Sequence, residues 1–198
     1  MGACRARDAI MISKHSAAAV LVVLTHISIA HAQGSVPAGL EAPAGHAPLF
    51  AAHAEGTQNY VCVLGPGGFG WQFHGPQATL VDDAMTQVAT HFLSPNPIED
   101  GAARATWQHS ADTSRVWAAA TASSTDPAFV APGAIPWLLL KVVGQQSGPG
   151  GGTALSGALF IQRINTAGGQ APPTGCNTAH DVGRKALVPY ETDYVFYR

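Results

Sequence analysis

Charge is scarce in this chain. Asp, Glu, Lys and Arg make up 11% of its 198 residues, and the formal net charge is −2. No cluster of Lys and Arg is present that could track a phosphate backbone, so nucleic acid is not an expected partner. Cysteine is almost missing as well: there are three, with no C-x-x-C spacing to support a thiolate metal site. The chain has no G-x-S-x-G, the nucleophile elbow of many hydrolases, and no H-E-x-x-H helix signature for zinc. Its asparagines at 59, 96, 165 and 177 all miss the N-x-[ST] pattern. No stretch is long and apolar enough to cross a bilayer as a helix. What is plentiful is turn chemistry, with 22 Gly and 14 Pro, and low charge with many turn residues suits a strand-rich exported protein.

The N-terminus supports export. Lys14 supplies a basic start, Ala17 to Ile29 is an apolar run too short to span a membrane, and Ala30-His31-Ala32 is an A-x-A cleavage site. Residues 1–32 are therefore expected to be a signal peptide removed after Ala32, with Met11 as an alternative start; a retained anchor is the competing arrangement. The expected destination is secreted or periplasmic. Beyond the signal, 33–47 is rich in Pro, Gly and Ala and is expected to form an extended arm, and 48–198 has the length of one domain. Cys4 lies in the removed segment. Cys62 and Cys176 remain, an even pair in an oxidising compartment, and a disulfide between them is the expected state; two free thiols are the alternative.

Short strands fill the domain. Thr57–Leu64 alternates so that Tyr60, Cys62 and Leu64 share one face, with Cys62 pointing inward beside Tyr60. Pro48–Ala54 is expected as a separate strand that ends at Glu55-Gly56. Residues 84–92 fit helical and strand spacing equally well. Trp137–Val143 is apolar on both faces apart from Lys141, as a strand covered on both sides would be. Phe160–Ile164 opens as a strand, breaks at Gly168-Gly169 and passes through Pro172-Pro173 to Cys176. Tyr190–Tyr197 closes the chain with an aromatic strand after Pro189. Eight to ten short strands without a confident long helix predict an all-β fold, an antiparallel β-sandwich or a jelly-roll-like barrel with one disulfide.

One glycine run imitates a cofactor motif. Gly65-Pro66-Gly67-Gly68-Phe69-Gly70 spells G-x-G-x-x-G after a strand. The fingerprint works only where its last glycine opens a helix that faces a pyrophosphate. Here Trp71-Gln72-Phe73-His74 alternates as a strand, and no acidic residue about 20 positions on closes a second strand. A hairpin loop is expected, and no cofactor.

Candidate chemistry is sparse. His74, His91 and His109 could converge with Asp82 or Asp83 in a folded sheet, although no two histidines stand at metal-ligand spacing. Asp82-Asp83 and Glu99-Asp100 are sequence neighbours, and neighbours on a strand face opposite ways. Trp71, Trp107, Trp117 and Trp137 with Tyr60, Tyr190, Tyr194 and Tyr197 are enough aromatics to line a groove for a glycan, peptide or other small ligand.

The order of motifs resembles the family called domain of unknown function 3455, found in exported bacterial and fungal secreted proteins. The matching pieces are Val36–Leu40, Gly56–Cys62, Gly75–Asp82, Thr106-Trp107-Gln108, Gly133–Leu138, Gln162–Gly169, Cys176 and Pro189-Tyr190. The most specific is Gln162-Arg163-Ile164-Asn165-Thr166-Ala167-Gly168-Gly169. At 89–93 the chain departs from the family's commoner pattern of Gly before and Tyr after the histidine. The resemblance implies no established activity and no catalytic residues. Some fungal members carry the label malate dehydrogenase, which the failed nucleotide fingerprint speaks against. The favoured expectation is an exported, non-enzymatic ligand-binding or envelope domain. The alternative is an extracytoplasmic enzyme, most plausibly a hydrolase, in which His91 or His109 meets Asp82 or Asp83.

Overall fold

The computed structural model describes residues 35–198; the expected signal segment and its cleavage site lie outside them. Eight strands follow one another around a closed barrel: β1 (Pro48–Gly65), β2 (Gly68–Val81), β3 (Gln87–Asn96), β4 (Ala102–His109), β5 (Arg115–Ser124), β6 (Trp137–Gln146), β7 (Phe160–Gly168) and β8 (Lys185–Tyr197). Every neighbouring pair is antiparallel, and β8 returns to pair with β1 from Pro48↔Tyr197 to Val61↔Lys185. Of the two expected architectures, the sheet closes on itself, which satisfies the backbone groups that an open edge would leave bare.

Two strands are longer than their local signals indicated, because tertiary packing overrides a breaker residue. β1 runs straight through Glu55-Gly56, and the glycine is needed there. A Cβ on Gly56 would sit 2.1 Å from the Gln77 carbonyl oxygen, so only a residue without one lets β1 and β2 approach. β8 likewise runs through Pro189. The ambiguous stretch before Phe92 is strand from Gln87 onward. The glycine run is the β1–β2 hairpin turn: Gly65 pairs with Gly68 across the two residues Pro66 and Gly67, and Gly68 takes φ +100°.

Alternation sorts the side chains. Ala54, Leu80, Ala89, Trp107, Val116 and Ile161 point inward and are buried, while Glu55, Gln77, Thr79, Lys141 and Glu191 point outward. That is the reverse of a membrane barrel, whose outer face is apolar. One end of the interior is plugged by the β6–β7 connection, which buries Leu155 and Ala158 completely. Asp112, in the β4–β5 turn, holds this plug by accepting from the Ala154 N–H at 2.8 Å and the Ser114 hydroxyl at 2.7 Å. These bonds keep its carboxyl at about 2, below the usual range.

The apolarity of both faces of β6 has a specific cause. A second hydrophobic layer lies outside the barrel, where Leu40 from the segment before β1 and Val130 from the β5–β6 connection cover Trp137, Leu139, Ile164 and Val195. β7 fastens this layer. The Gln162 amide donates to the Leu40 carbonyl and accepts from the Tyr197 hydroxyl. Thr166 donates to the Ile135 carbonyl, and Arg163 gives two N–H groups to the Pro136 carbonyl.

At the opposite end from the plug, the β1–β2 hairpin rises beyond β3, which pairs with β2 only from Gln77 to Val81. The connection 169–184 crosses back to this hairpin. There Cys62 and Cys176 form a disulfide with Cα atoms 5.4 Å apart, and Trp71 donates its indole N–H to the Thr174 carbonyl at 3.0 Å. The bond spans 114 positions of sequence. In the chain-entropy account a closed loop of that size constrains the unfolded chain by about 4–5 kcal/mol. Replacing both cysteines by alanine is expected to lower unfolding free energy by about 2–5 kcal/mol in urea titrations, and an unchanged midpoint would contradict a stapling role.

Candidate ligand chamber

The barrel interior is not filled throughout. Toward the hairpin end the walls carry small side chains, Ala105 and Ala120 among them, and a chamber of about 180 Å³ opens between them and out past Phe73 and Leu93. Its floor is aromatic. His91 and Trp107 are cross-strand partners on β3 and β4, and their rings stack with centroids 4.1 Å apart and planes 11° apart. Tyr194 from β8 meets both edge-on, at 5.2 and 5.3 Å. Leu138 and Leu140 add an apolar wall, and Gln58 and Arg163 bring polar groups from β1 and β7.

His91 is neutral here. It is 3% exposed, its Nδ1–H donates to the Thr106 carbonyl at 2.9 Å, and Nε2 is left as an acceptor. Burial pushes its pKa down to about 3, the positive charge of Arg163 acts in the same sense, and the Thr106 carbonyl opposes. Burial likewise raises the phenol pKa values of Tyr190 and Tyr194.

The hydrogen bonding of the chamber's polar groups is incomplete. The Trp107 indole N–H is buried and makes no hydrogen bond. Tyr190 bonds Tyr194 and Gln58, and Tyr194 bonds Arg163, as a loose polar chain, but the buried Gln58 Nε2 and the two hydroxyls do not close these contacts to ordinary hydrogen-bond geometry. A buried polar group without a partner costs about 1–3 kcal/mol, and several on one wall are the mark of a site that something polar completes. A wider depression of about 560 Å³ lies on the outer surface around Glu55, His74 and Gln77. It is open to solvent and carries no buried, unsatisfied group, so the chemistry points to the interior chamber.

The residues expected from sequence divide between these places. His91 and Trp107 come together in the chamber. His74 lies in the outer depression, which His91 also lines. His109 sits near the plug, 3.1 Å from Asp112. Asp82 accepts from the Ala84 and Thr86 N–H groups in the β2–β3 turn. Asp83 faces His53 at 3.4 Å, and His53 also bonds Asp193 at 2.5 Å, which raises the His53 pKa. The acid–imidazole contacts at this surface thus involve His53, while the His91 ring nitrogen bonds the backbone. His53 presents its two ring nitrogens to different carboxylates, so the three cannot close on one metal ion, and among the described residues no cluster has metal-ligand geometry. The eight aromatics proposed for a groove also separate. Trp137 and Tyr197 belong to the outer layer and Trp71 to the hairpin, whereas Trp107 and Tyr194 face the chamber. Thr90 and Phe92, the sequence neighbours of His91, line the outer depression.

Arg163 was not among the expected site residues. A cation in a polar-looking stretch reads as solvent-facing. The signal that finds it is alternation: Ile161 points inward, so Arg163, two residues on, does too.

A titration follows from the state of His91. The unfolded chain binds this proton near 6.5 and the folded chain only near 3. Between those values unfolding takes up a proton, so stability falls as pH drops through the window; above 6.5 the group adds no slope. His91→Phe, which keeps a stacked ring, is expected to flatten the stability–pH curve between pH 3 and 6.5 by up to about 1.4 kcal/mol per pH unit. Denaturant titrations at a series of pH values would show an unchanged slope if His91 were solvated.

Comparison with known proteins bears on the whole barrel. The model of the family described as Protein of unknown function (DUF3455) matches residues 43–198, and the chain belongs to that family. No curated protein and no solved structure matches it.

Proposed function

We propose that this family member is an exported, non-enzymatic binding protein that holds one small molecule inside its barrel. The observation that carries the reading is an interior chamber lined by buried polar groups with incomplete hydrogen bonding, the Trp107 indole with none and Gln58 and Tyr194 with loose contacts only. Eight-stranded barrels have interiors just wide enough either to fill with side chains or to hold one small ligand. An apolar cavity of about 150 Å³ accepts a benzene ring, so a chamber of about 180 Å³ suits a ligand of that size. Aromatic faces on one side and a few polar groups on the other are the composition of small-molecule sites. Binding without catalysis fits an imidazole held neutral with its Nδ1–H committed to a backbone carbonyl. Export is supported by the N-terminal signal pattern and by the Cys62–Cys176 disulfide, which persists in oxidising compartments.

Saturation-transfer NMR against a set of rigid one-ring compounds tests the reading. Binders are expected for the wild-type protein. The substitution Ala105→Leu, which fills the chamber from β4, is expected to weaken them at least tenfold while leaving the fold's amide spectrum in place. Absence of binders, or binders indifferent to Ala105→Leu, would refute an interior site.

A further inference from the structure

We infer that the chamber selects a small anion with a flat apolar body, an aromatic or short-chain carboxylate, whose charged head meets Arg163. The inference rests on the reading of the barrel as a binding protein and adds the ligand's class.

Three observations carry it. First, Arg163 is the one charged group lining the chamber, since His91 is neutral there. Second, the guanidinium has no carboxylate partner. Its Nε and one terminal nitrogen donate to the Pro136 carbonyl at 3.1 and 2.7 Å, and its other side-chain neighbour is the neutral Tyr194 hydroxyl. Among the described residues, the ion pairs of the barrel involve Arg104 and Arg184, never Arg163. The Pro136 carbonyl and the Tyr194 hydroxyl face this guanidinium, and no acidic side chain among the described residues lines the chamber. Third, the polar groups around it carry donors: the Trp107 indole N–H, which has no acceptor, and the Gln58 Nε2 and Tyr194 hydroxyl, whose contacts do not close to ordinary hydrogen bonds. A wall of donors without an acidic acceptor matches a ligand made of acceptors. A carboxylate offers about four acceptor sites and forms its strongest bonds with charged donors.

The rest of the ligand is set by the walls. Leu138 and Leu140 are apolar, and the His91–Trp107 stack presents a flat aromatic floor. The volume admits about one six-membered ring with a short acidic substituent. A larger dianion would need a second cation, which the chamber does not contain.

The test pairs two probes of equal shape, benzoate and benzamide, by calorimetric or NMR titration of the intact protein at pH 7. Benzoate is expected to bind at least tenfold tighter than benzamide, with affinity that falls as salt rises. Arg163→Lys retains the charge and is expected to keep part of that preference, and Arg163→Gln to abolish it. Because Arg163 also holds Pro136, the wild-type comparison decides the matter if Arg163→Gln does not fold. Equal or tighter binding of benzamide would overturn the anion inference and leave the binding chamber standing. Failure of both probes, together with every neutral ring, would overturn the chamber itself. Benzoate binding that Ala105→Leu leaves untouched would place the anion elsewhere and also refute the inference.

Discussion

Everything in this molecule depends on the closure of β8 onto β1. That ladder runs from Pro48↔Tyr197 to Val61↔Lys185 and turns a meander of hairpins into a tube. Closure is demanding, because β8 is joined to β7 by the long connection 169–184 and could otherwise drift. Three devices hold it. Gly168 and Gly169 take φ of +64° and +86° in a space where a Cβ would meet the Pro189 carbonyl oxygen or the side chains of Ile135 and Tyr190. Tyr60 donates its hydroxyl to the Gly169 carbonyl at 2.6 Å. The disulfide then ties the far part of the same connection to β1. The stretch 162–169 is therefore a fastening for the tube and its outer layer, and it also delivers Arg163 to the interior.

The chamber follows from that closure. A tube of eight strands has a fixed width, and it fills only where large side chains point inward. Near the plug they do: Phe196, Leu80, Val116 and Leu155 are fully buried. Toward the hairpin end the inward positions fall to Ala105 and Ala120, and the filling stops. Gln58, Trp107 and Tyr194, whose hydrogen bonding is incomplete, line this space, whereas Trp137, whose indole also lacks a partner, lies in the outer layer. The proposal of binding rests on the coincidence of this space with polar groups beside a guanidinium that no carboxylate pairs.

Much of the architecture was legible because its signals are local or arithmetical. The two cysteines outside the expected signal segment leave one pairing, and period-two alternation puts Cys62 and Tyr60 on the inner face. The apolar β6 announced that both its sides are covered. Closure itself was not legible, since each strand senses only its neighbours, and a sandwich and a barrel share the same alternation. Gly56 and Pro189 read as strand ends because their local preferences oppose strands, while packing against β2 and position in the closing ladder keep them inside. The site was half visible. His91 and Trp107 stood out as types, but only the register of β3 against β4 stacks them. Gln58 and Arg163 were not singled out as site residues, and alternation from Tyr60 and from Ile161 places them on the inner face.

The most direct test of the account is the side-chain NMR signal of the Trp107 indole N–H during titration with benzoate. Trp71 and Trp117 already donate, to the Thr174 carbonyl and the Ser94 hydroxyl, and Trp137 lies in the outer layer. The account predicts that the Trp107 resonance alone among the four indoles shifts strongly downfield and saturates with the binding curve. A Trp107 signal that stays fixed while benzoate saturates the protein would contradict it.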